Sequence, residues 1–107
     1  ELTAFDLVSY HKRIGGVNRI VPVIEELCES ANKSKMKKVS KEYSIPIVQR
    51  LGYILEILNE KDLSETLFEI LNKKRAFKVP LSLSHNNRKG KLNKRWNLII
   101  NTDLTNL

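Results

Sequence analysis

The chain has 107 residues, with 19 Lys and Arg against 12 Asp and Glu and a formal net charge of +7. That length fits a single compact domain over residues 1–107 with a modest core. No apolar run approaches the roughly 20 residues of a membrane-spanning helix, no signal-peptide pattern is present, and the lone Cys28 excludes both an internal disulfide and a multi-cysteine metal site.

Thr3 is placed to cap a first helix, with Asp6 three positions later in the manner of a capping box. Ala4, Leu7, Val8 and His11 recur at helical spacing, which sets His11 at the border of the core. Ile14 closes the segment and Gly15-Gly16 ends it, because glycine enters positive-φ caps without strain. Asn18 then reads as the N-cap of a second helix, with Ile20, Val23, Ile24 and Leu27 as its apolar face. Pro22 falls at the end of the first turn of that helix, Cys28 is expected as a buried thiol, and the end lies near Ala31-Asn32. Lys33 to Tyr43 reads as a short basic helix held by Met36, Val39 and Tyr43. Ser44 caps a fourth helix with Pro46 in its first turn, and Ile47, Val48, Leu51, Ile54, Leu55 and Leu58 form its stripe. Gly52 costs that helix about 1 kcal/mol relative to alanine, which points to close approach of another element. After a turn over Asn59 to Lys61, Asp62 or Ser64 caps a fifth helix carrying Leu63, Leu67, Ile70 and Leu71.

Beyond Lys74 the period changes. Ala76 to Leu83 alternates like a strand, which Pro80 confines to an edge or a bulge. Arg95 to Asn101 reads as a second strand with Trp96, Leu98 and Ile100 on one face. Ser84 to Lys94 between them is long, polar and basic for a hairpin connection. The expected class is therefore α+β and predominantly helical: about five helices followed by a C-terminal two-stranded β element packed on them.

Charge is unevenly placed. No acidic residue lies between Ile70 and Thr102, whereas Lys73, Lys74, Arg75, Lys78, Arg88, Lys89, Lys91, Lys94 and Arg95 do. Lys33, Lys35, Lys37, Lys38 and Lys41 form a second cluster. Such polarity favours an anionic partner, either nucleic acid or an acidic protein surface, over a solvated face without a role. Catalytic signatures are missing. His11 and His85 have no ligand or nucleophile motif beside them, and there is no Gly-x-Gly-x-x-Gly, P-loop or Gly-x-Ser-x-Gly. Gly15-Gly16 could cradle a phosphate, but a plain helix–helix turn is the simpler account. A metal-dependent nuclease is the one enzymatic alternative. It is disfavoured because no Asp, Glu or Gln is followed two positions later by Lys. No catalytic residue, metal, cofactor, small-molecule substrate or membrane partner is expected, and the single reduced cysteine suits the cytoplasm.

Three segments carry a resemblance. Thr3-Ala-Phe-Asp-Leu-Val through Lys12-Arg-Ile-Gly-Gly16 and Asn18-Arg19 is the first, and Gln49-Arg-Leu-Gly-Tyr53 is the second. A closing Trp96 with Asn101 is the third and weakest. Together they resemble the C-terminal domain of AbiEi-type antitoxins, the repressor-antitoxins of type IV (abortive-infection) toxin–antitoxin systems. The resemblance implies a non-enzymatic domain that follows an N-terminal winged helix-turn-helix, here expected to be missing upstream. It also implies two partners: promoter DNA, bound by the full-length protein, and a nucleotidyltransferase-like toxin that the domain counteracts. Lys12, Arg13, Arg19 and Arg50 match family positions and would contact phosphate or an acidic partner surface, joined by Arg88, Lys89, Lys91 and Lys94 of the basic loop and Arg95 at the start of the second strand. Arg13 and Arg50 could equally make salt bridges or bond helix-terminal carbonyls. Gly15, Gly16, Asn18, Gly52, Tyr53 and Trp96 are assigned to turns and packing, although an exposed Trp96 beside Arg95 would suit base stacking. A basic protein-interaction module without DNA binding is the runner-up.

Overall fold

The computed structural model describes residues 3–83 and 90–104. Five helices, α1 (Ala4–Ser9), α2 (Val17–Cys28), α3 (Lys33–Ser40), α4 (Ile45–Ile57) and α5 (Lys61–Asn72), precede three short strands, β1 (Val79–Pro80), β2 (Lys91–Asn93) and β3 (Leu98–Ile100). The fold is α+β, as the sequence indicates, with one strand more than expected. No helix among the described residues is long and apolar enough to cross a membrane.

Helix α4 is the centre. Val48, Leu51, Ile54 and Leu55 are buried, as their stripe requires, but so are Gln49, Arg50, Gly52 and Tyr53 on its other faces. A helix enclosed on all sides is a core helix rather than an amphipathic surface one. It packs against α1 and α5, while α2 packs on α1 and α3 on α5. Leu63, Leu67 and Leu71 bring α5 into the same core.

Local chemistry sets the helix ends. Thr3 and Asp6 form the expected capping box: Thr3 Oγ1 accepts from the Asp6 N–H at 3.2 Å, and Asp6 Oδ2 accepts from the Thr3 N–H at 3.2 Å. Tyr43 donates its hydroxyl to Asp6 Oδ1 at 2.5 Å and stacks on Phe5 with centroids 5.0 Å apart. The Tyr43 hydroxyl, then the Thr3 N–H, hold the Asp6 carboxyl below its usual range. Helix α4 ends in a Schellman arrangement, with Asn59 at φ 62° and the Glu60 N–H donating to the Leu55 carbonyl at 2.9 Å.

Several expected boundaries move. Helix α1 stops at Ser9, and residues 10–15 form the turn. Gly16, not Asn18, is the N-cap of α2, at φ 98°. Burial of Val17 pulls the helix start forward, so Pro22 lies inside the helix and removes a bond to the Asn18 carbonyl. Val21 takes the inward position expected of Val23, which is 40% exposed, and Cys28 is only half-buried. Glu60 replaces Asp62 or Ser64 as the N-cap of α5; Ser64 is buried and donates to the Gly52 carbonyl instead.

The sheet has the order β1-β3-β2, with β1 parallel and β2 antiparallel to β3. The expected two-stranded pairing is corrected in two ways. Residues Lys91–Asn93, assigned to the loop, form β2, and the strand expected from Ala76 shrinks to two residues. The cause lies in two amides: Asn97 Nδ2 takes the Ala76 carbonyl and Gln49 Nε2 takes the Phe77 carbonyl, so neither joins a ladder. Pro80 sits on the edge, where its missing N–H leaves the flanking Val79 and Leu81 bonds to β3 intact.

Trp96 is not on a strand. It lies in the turn at residues 94–97, whose chain reversal uses Asn97 at φ 54° and a bond from the Trp96 N–H to Asn93 Oδ1 at 3.0 Å. The indole is 1% exposed, packs edge-on to Phe68 and donates Nε1–H to Glu56 Oε1 at 3.2 Å. It lies against Gly52, where an added Cβ would stand 2.1 Å from Trp96 Cζ3. The close approach that Gly52 signalled is therefore with this ring. Gly52→Ala should destabilise the domain by about 1–3 kcal/mol or more through overpacking. Denaturant unfolding followed by Trp96 fluorescence measures this, and an unchanged midpoint would contradict the contact.

Candidate functional site

The turn between α1 and α2 gathers the first basic cluster. The Gly16 N–H donates to the His11 carbonyl at 2.6 Å and closes the turn, with Gly15 at φ 105°. Gly15 is also where the Arg19 side chain lies: an added Cβ would be 2.9 Å from Arg19 Cδ. Lys12 and Arg13 in the turn and Arg19 in the first turn of α2 are all exposed. None of the three forms an ion pair with a described residue. Tyr10 and Ile14, beside them in sequence, are 52% and 45% exposed. Asn18 is exposed on the same helical turn rather than serving as a cap.

His11 fastens this turn to the sheet. Fully buried, it bonds the Val8 carbonyl through Nδ1 at 2.7 Å and accepts the Leu83 N–H on Nε2 at 3.0 Å. Those two bonds require the neutral ring, with the proton on Nδ1. Burial, and less so the Arg50 charge, lower its pKa, against the raising effect of the Val8 carbonyl. Leu83, the last described residue before Gly90, is thereby held at the α1–α2 turn. Arg88, Lys89 and His85 lie outside the described residues.

The remaining candidates are dispersed. Lys91 pairs with Ile100 in the β2–β3 register, at the same end of the sheet as the Ser82–Asn101 bonds and Leu83. Lys94 lies at the other end, roughly 10 Å away by strand rise. Arg95 is exposed but already held by partners within the domain. It pairs with Glu56 at 2.8 Å and with Glu65, and its guanidinium sits 3.9 Å over the Phe68 ring. Arg50 is buried at 6% exposure, contrary to the exposed side chain expected, and donates Nε–H to the Pro80 carbonyl at 2.9 Å. Enclosure of α4 on every face explains this. Tyr53 is buried and Trp96 is enclosed, so neither offers a stacking surface.

Gln49 escaped the sequence reading. Its Nε2 donates to the carbonyls of Phe77 and Trp96, both at 2.9 Å, and of Asn97 at 3.3 Å. A glutamine directly after Ile47 and Val48 on so apolar a helix is the signal that could have marked it. Elsewhere a recess of about 110 Å³ is lined by Phe5, Ile24, Leu27, Cys28, Met36 and Val39 among others. Burial, then Glu60 and Glu25, push the Cys28 thiol up to about 11, so it is protonated and weakly nucleophilic at neutral pH. Among the described residues, no three His, Cys, Asp or Glu side chains are grouped to hold a metal ion.

Residues 1–57 match the model of the AbiEi antitoxin C-terminal domain. The chain belongs to this family. The matched segment includes the α1–α2 turn with Lys12, Arg13 and Arg19, and the Gln49–Tyr53 stretch of α4. It ends before the sheet, Trp96 and Asn101. No curated protein and no solved structure matches the chain.

The neutral His11 makes stability depend on pH in a defined window. Its folded-state pKa lies below the ordinary 6.5, so the unfolded chain binds the proton first as pH falls. Stability should be full above about pH 6.5 and decline as pH drops through the folded-state value. Asp6 titrates below 3.8 and does not overlap that window. Urea midpoints between pH 7.5 and pH 5 should fall for the native chain and stay level for His11→Gln.

Proposed function

We propose that this AbiEi-family domain is the antitoxin and regulator module of a type IV toxin–antitoxin system and that it works by binding, not catalysis. In this reading it counteracts a nucleotidyltransferase-like toxin in the cytoplasm and supports promoter binding by a full-length protein with a winged helix-turn-helix. One observation carries the mechanism: Lys12 and Arg13 in the α1–α2 turn and Arg19 in the first turn of α2, all in the matched segment, are exposed without ion pairs to described residues. Three exposed cations at this helix–helix junction, unpaired among the described residues, make a local positive field suited to phosphate oxygens or carboxylates. The docking surface then consists of this turn with Lys91, while Arg88 and Lys89 lie outside the described residues. Lys94 and Arg95 lie apart from it, and Arg50 is buried.

Tyr10 and Ile14 favour a second reading, a protein partner without DNA. Exposed aromatic and aliphatic side chains interleaved with cations resemble the mixture found in protein interfaces.

Salt dependence separates the two. Anisotropy of a labelled DNA duplex, titrated at several salt concentrations, should give a log–log slope that weakens by about 3 in the Lys12→Ala/Arg13→Ala/Arg19→Ala variant, from about 0.9 per released phosphate contact. Absence of binding at low salt removes the DNA reading. The protein-partner reading then stands on whether the same variant, folded to the same midpoint, loses rescue of toxin-expressing cells.

A further inference from the structure

Helix α3 carries a concentration of charge that the α1–α2 turn does not absorb. Lys33, Lys35, Lys37 and Lys38 lie on it and Lys41 is its C-cap residue, and all five are exposed. Met36 and Ser40 are buried and Val39 packs against the core, so Ser34 is the one other exposed residue of the helix. Glu42 follows Lys41, and α5, on which α3 packs, carries Asp62, Glu65 and Glu69. None of the five lysines forms an ion pair with a described residue.

This arrangement works against the helix itself. Lys33, Lys37 and Lys41 follow one another at four-residue intervals, where like charges repel. Lys33 and Lys35 stand in the first turn, at the end where the backbone dipole disfavours cations. Other contacts hold the helix: Asn32 Oδ1 accepts the Lys35 N–H at 2.8 Å, Ser40 Oγ donates to the Lys37 carbonyl at 2.8 Å, and Met36 is buried. A polyanion lying across several of the lysines would relieve the repulsion.

We propose that the lysine face of α3 is a second docking surface, which takes the phosphate backbone of a nucleic-acid duplex without reading its sequence. It goes beyond the α1–α2 turn and rests on the DNA reading of the domain. Composition selects the partner. Protein interfaces are depleted in lysine and enriched in aromatic residues, methionine and arginine, whereas α3 exposes lysine and serine alone. A helix lying in a membrane surface inserts its apolar side, but Met36 and Val39 are already packed on the core. Attachment by charge remains, and lysine supplies it as mobile point charges that need no fixed geometry. Eight residues of helix are about 12 Å long. A duplex presents one phosphate per roughly 1.7 Å of its axis, so that length offers more phosphates than α3 has lysines.

The two surfaces are separate. Helix α3 meets the start of α1 and the end of α2, where Lys35, Met36 and Val39 line one recess with Thr3, Phe5 and Cys28. The Gly15-Gly16 turn lies at the opposite end of α2, 12 residues or about 18 Å away.

Anisotropy of two labelled duplexes of unrelated sequence, titrated with the 107-residue chain at several salt concentrations, tests the proposal. Both should bind equally to within about threefold, and the log–log salt slope should fall by about 3 to 4 in Lys33→Gln/Lys37→Gln/Lys38→Gln/Lys41→Gln, at about 0.9 per phosphate contact. Arginine at the same four positions should keep the slope. The urea midpoint of the glutamine variant should equal or exceed the native one, because the repulsion is gone. An unchanged slope overturns the proposal, as do absence of duplex binding at low salt and tighter binding to vesicles of phosphatidylserine and phosphatidylcholine than to duplex. Acetylation of the native chain decides even where the variant fails to fold: duplex should shield these four lysines, and equal labelling with and without it overturns the proposal. Slope loss confined to the Lys12→Ala/Arg13→Ala/Arg19→Ala variant rejects the α3 surface and keeps the turn, and loss confined to the α3 variant does the reverse.

Discussion

The seating of Trp96 on Gly52 is the contact on which the rest of the domain depends. A three-residue strand pair has little stability of its own. Here the hairpin turn is driven into the helical core by a ring that only a glycine admits, and one glutamine secures it. The Gln49 amide reaches the backbone on both sides of that ring, at Trp96 and Asn97, and the incoming chain at Phe77. One residue type supplies space and the other supplies the hydrogen bonds that a buried backbone must have. Between them they convert a helical bundle and a marginal sheet into one core.

That arrangement also sorts the cations. Drawing the hairpin turn onto α4 and α5 brings Arg95 against Glu56, Glu65 and Phe68, where it reinforces the contact while staying at the surface. Enclosing α4 instead buries Arg50, whose Nε–H bonds the Pro80 carbonyl. At the far end of the sheet, the His11 bond to Leu83 holds the α1–α2 turn against the end of the segment that follows β1. Lys12, Arg13 and Arg19 remain outside. Positive charge among the described residues is thus of three kinds: ion-paired at Arg95, buried at Arg50, and exposed without an ion pair to a described residue at Lys12, Arg13 and Arg19.

Helix positions were largely legible because they follow from short-range chemistry. The Thr3–Asp6 capping box, the Asn59 turn and the α4 stripe each involve residues within a few positions of one another. The errors share a cause. Asn18 looked like a cap, but burial of Val17 moved the helix start to Gly16. Ala76 and Phe77 looked like strand, but amides from Asn97 and Gln49 took their carbonyls. Trp96 looked like a strand residue because alternation with Leu98 is equally compatible with a turn that delivers the ring to the core. In each case a partner distant in sequence outbid a local preference. Of the candidate surface, the α1–α2 turn was legible from its Lys-Arg and Gly-Gly spelling, whereas the separation of Lys91 from Lys94 and Arg95 depended on strand register.

The amino-acid order alone determined that five helices form, where a glycine must yield to a neighbour, that positive charge is concentrated, and which family the first half belongs to. Periodicity, capping and composition are properties of neighbouring residues, and they survive in an unfolded chain. Only the folded arrangement decided which ring occupies the Gly52 notch, which arginines face solvent, and that Arg50 is buried with its Nε–H on the Pro80 carbonyl. Those outcomes depend on which distant groups become neighbours, and exposure and charge pairing exist only once the core has closed.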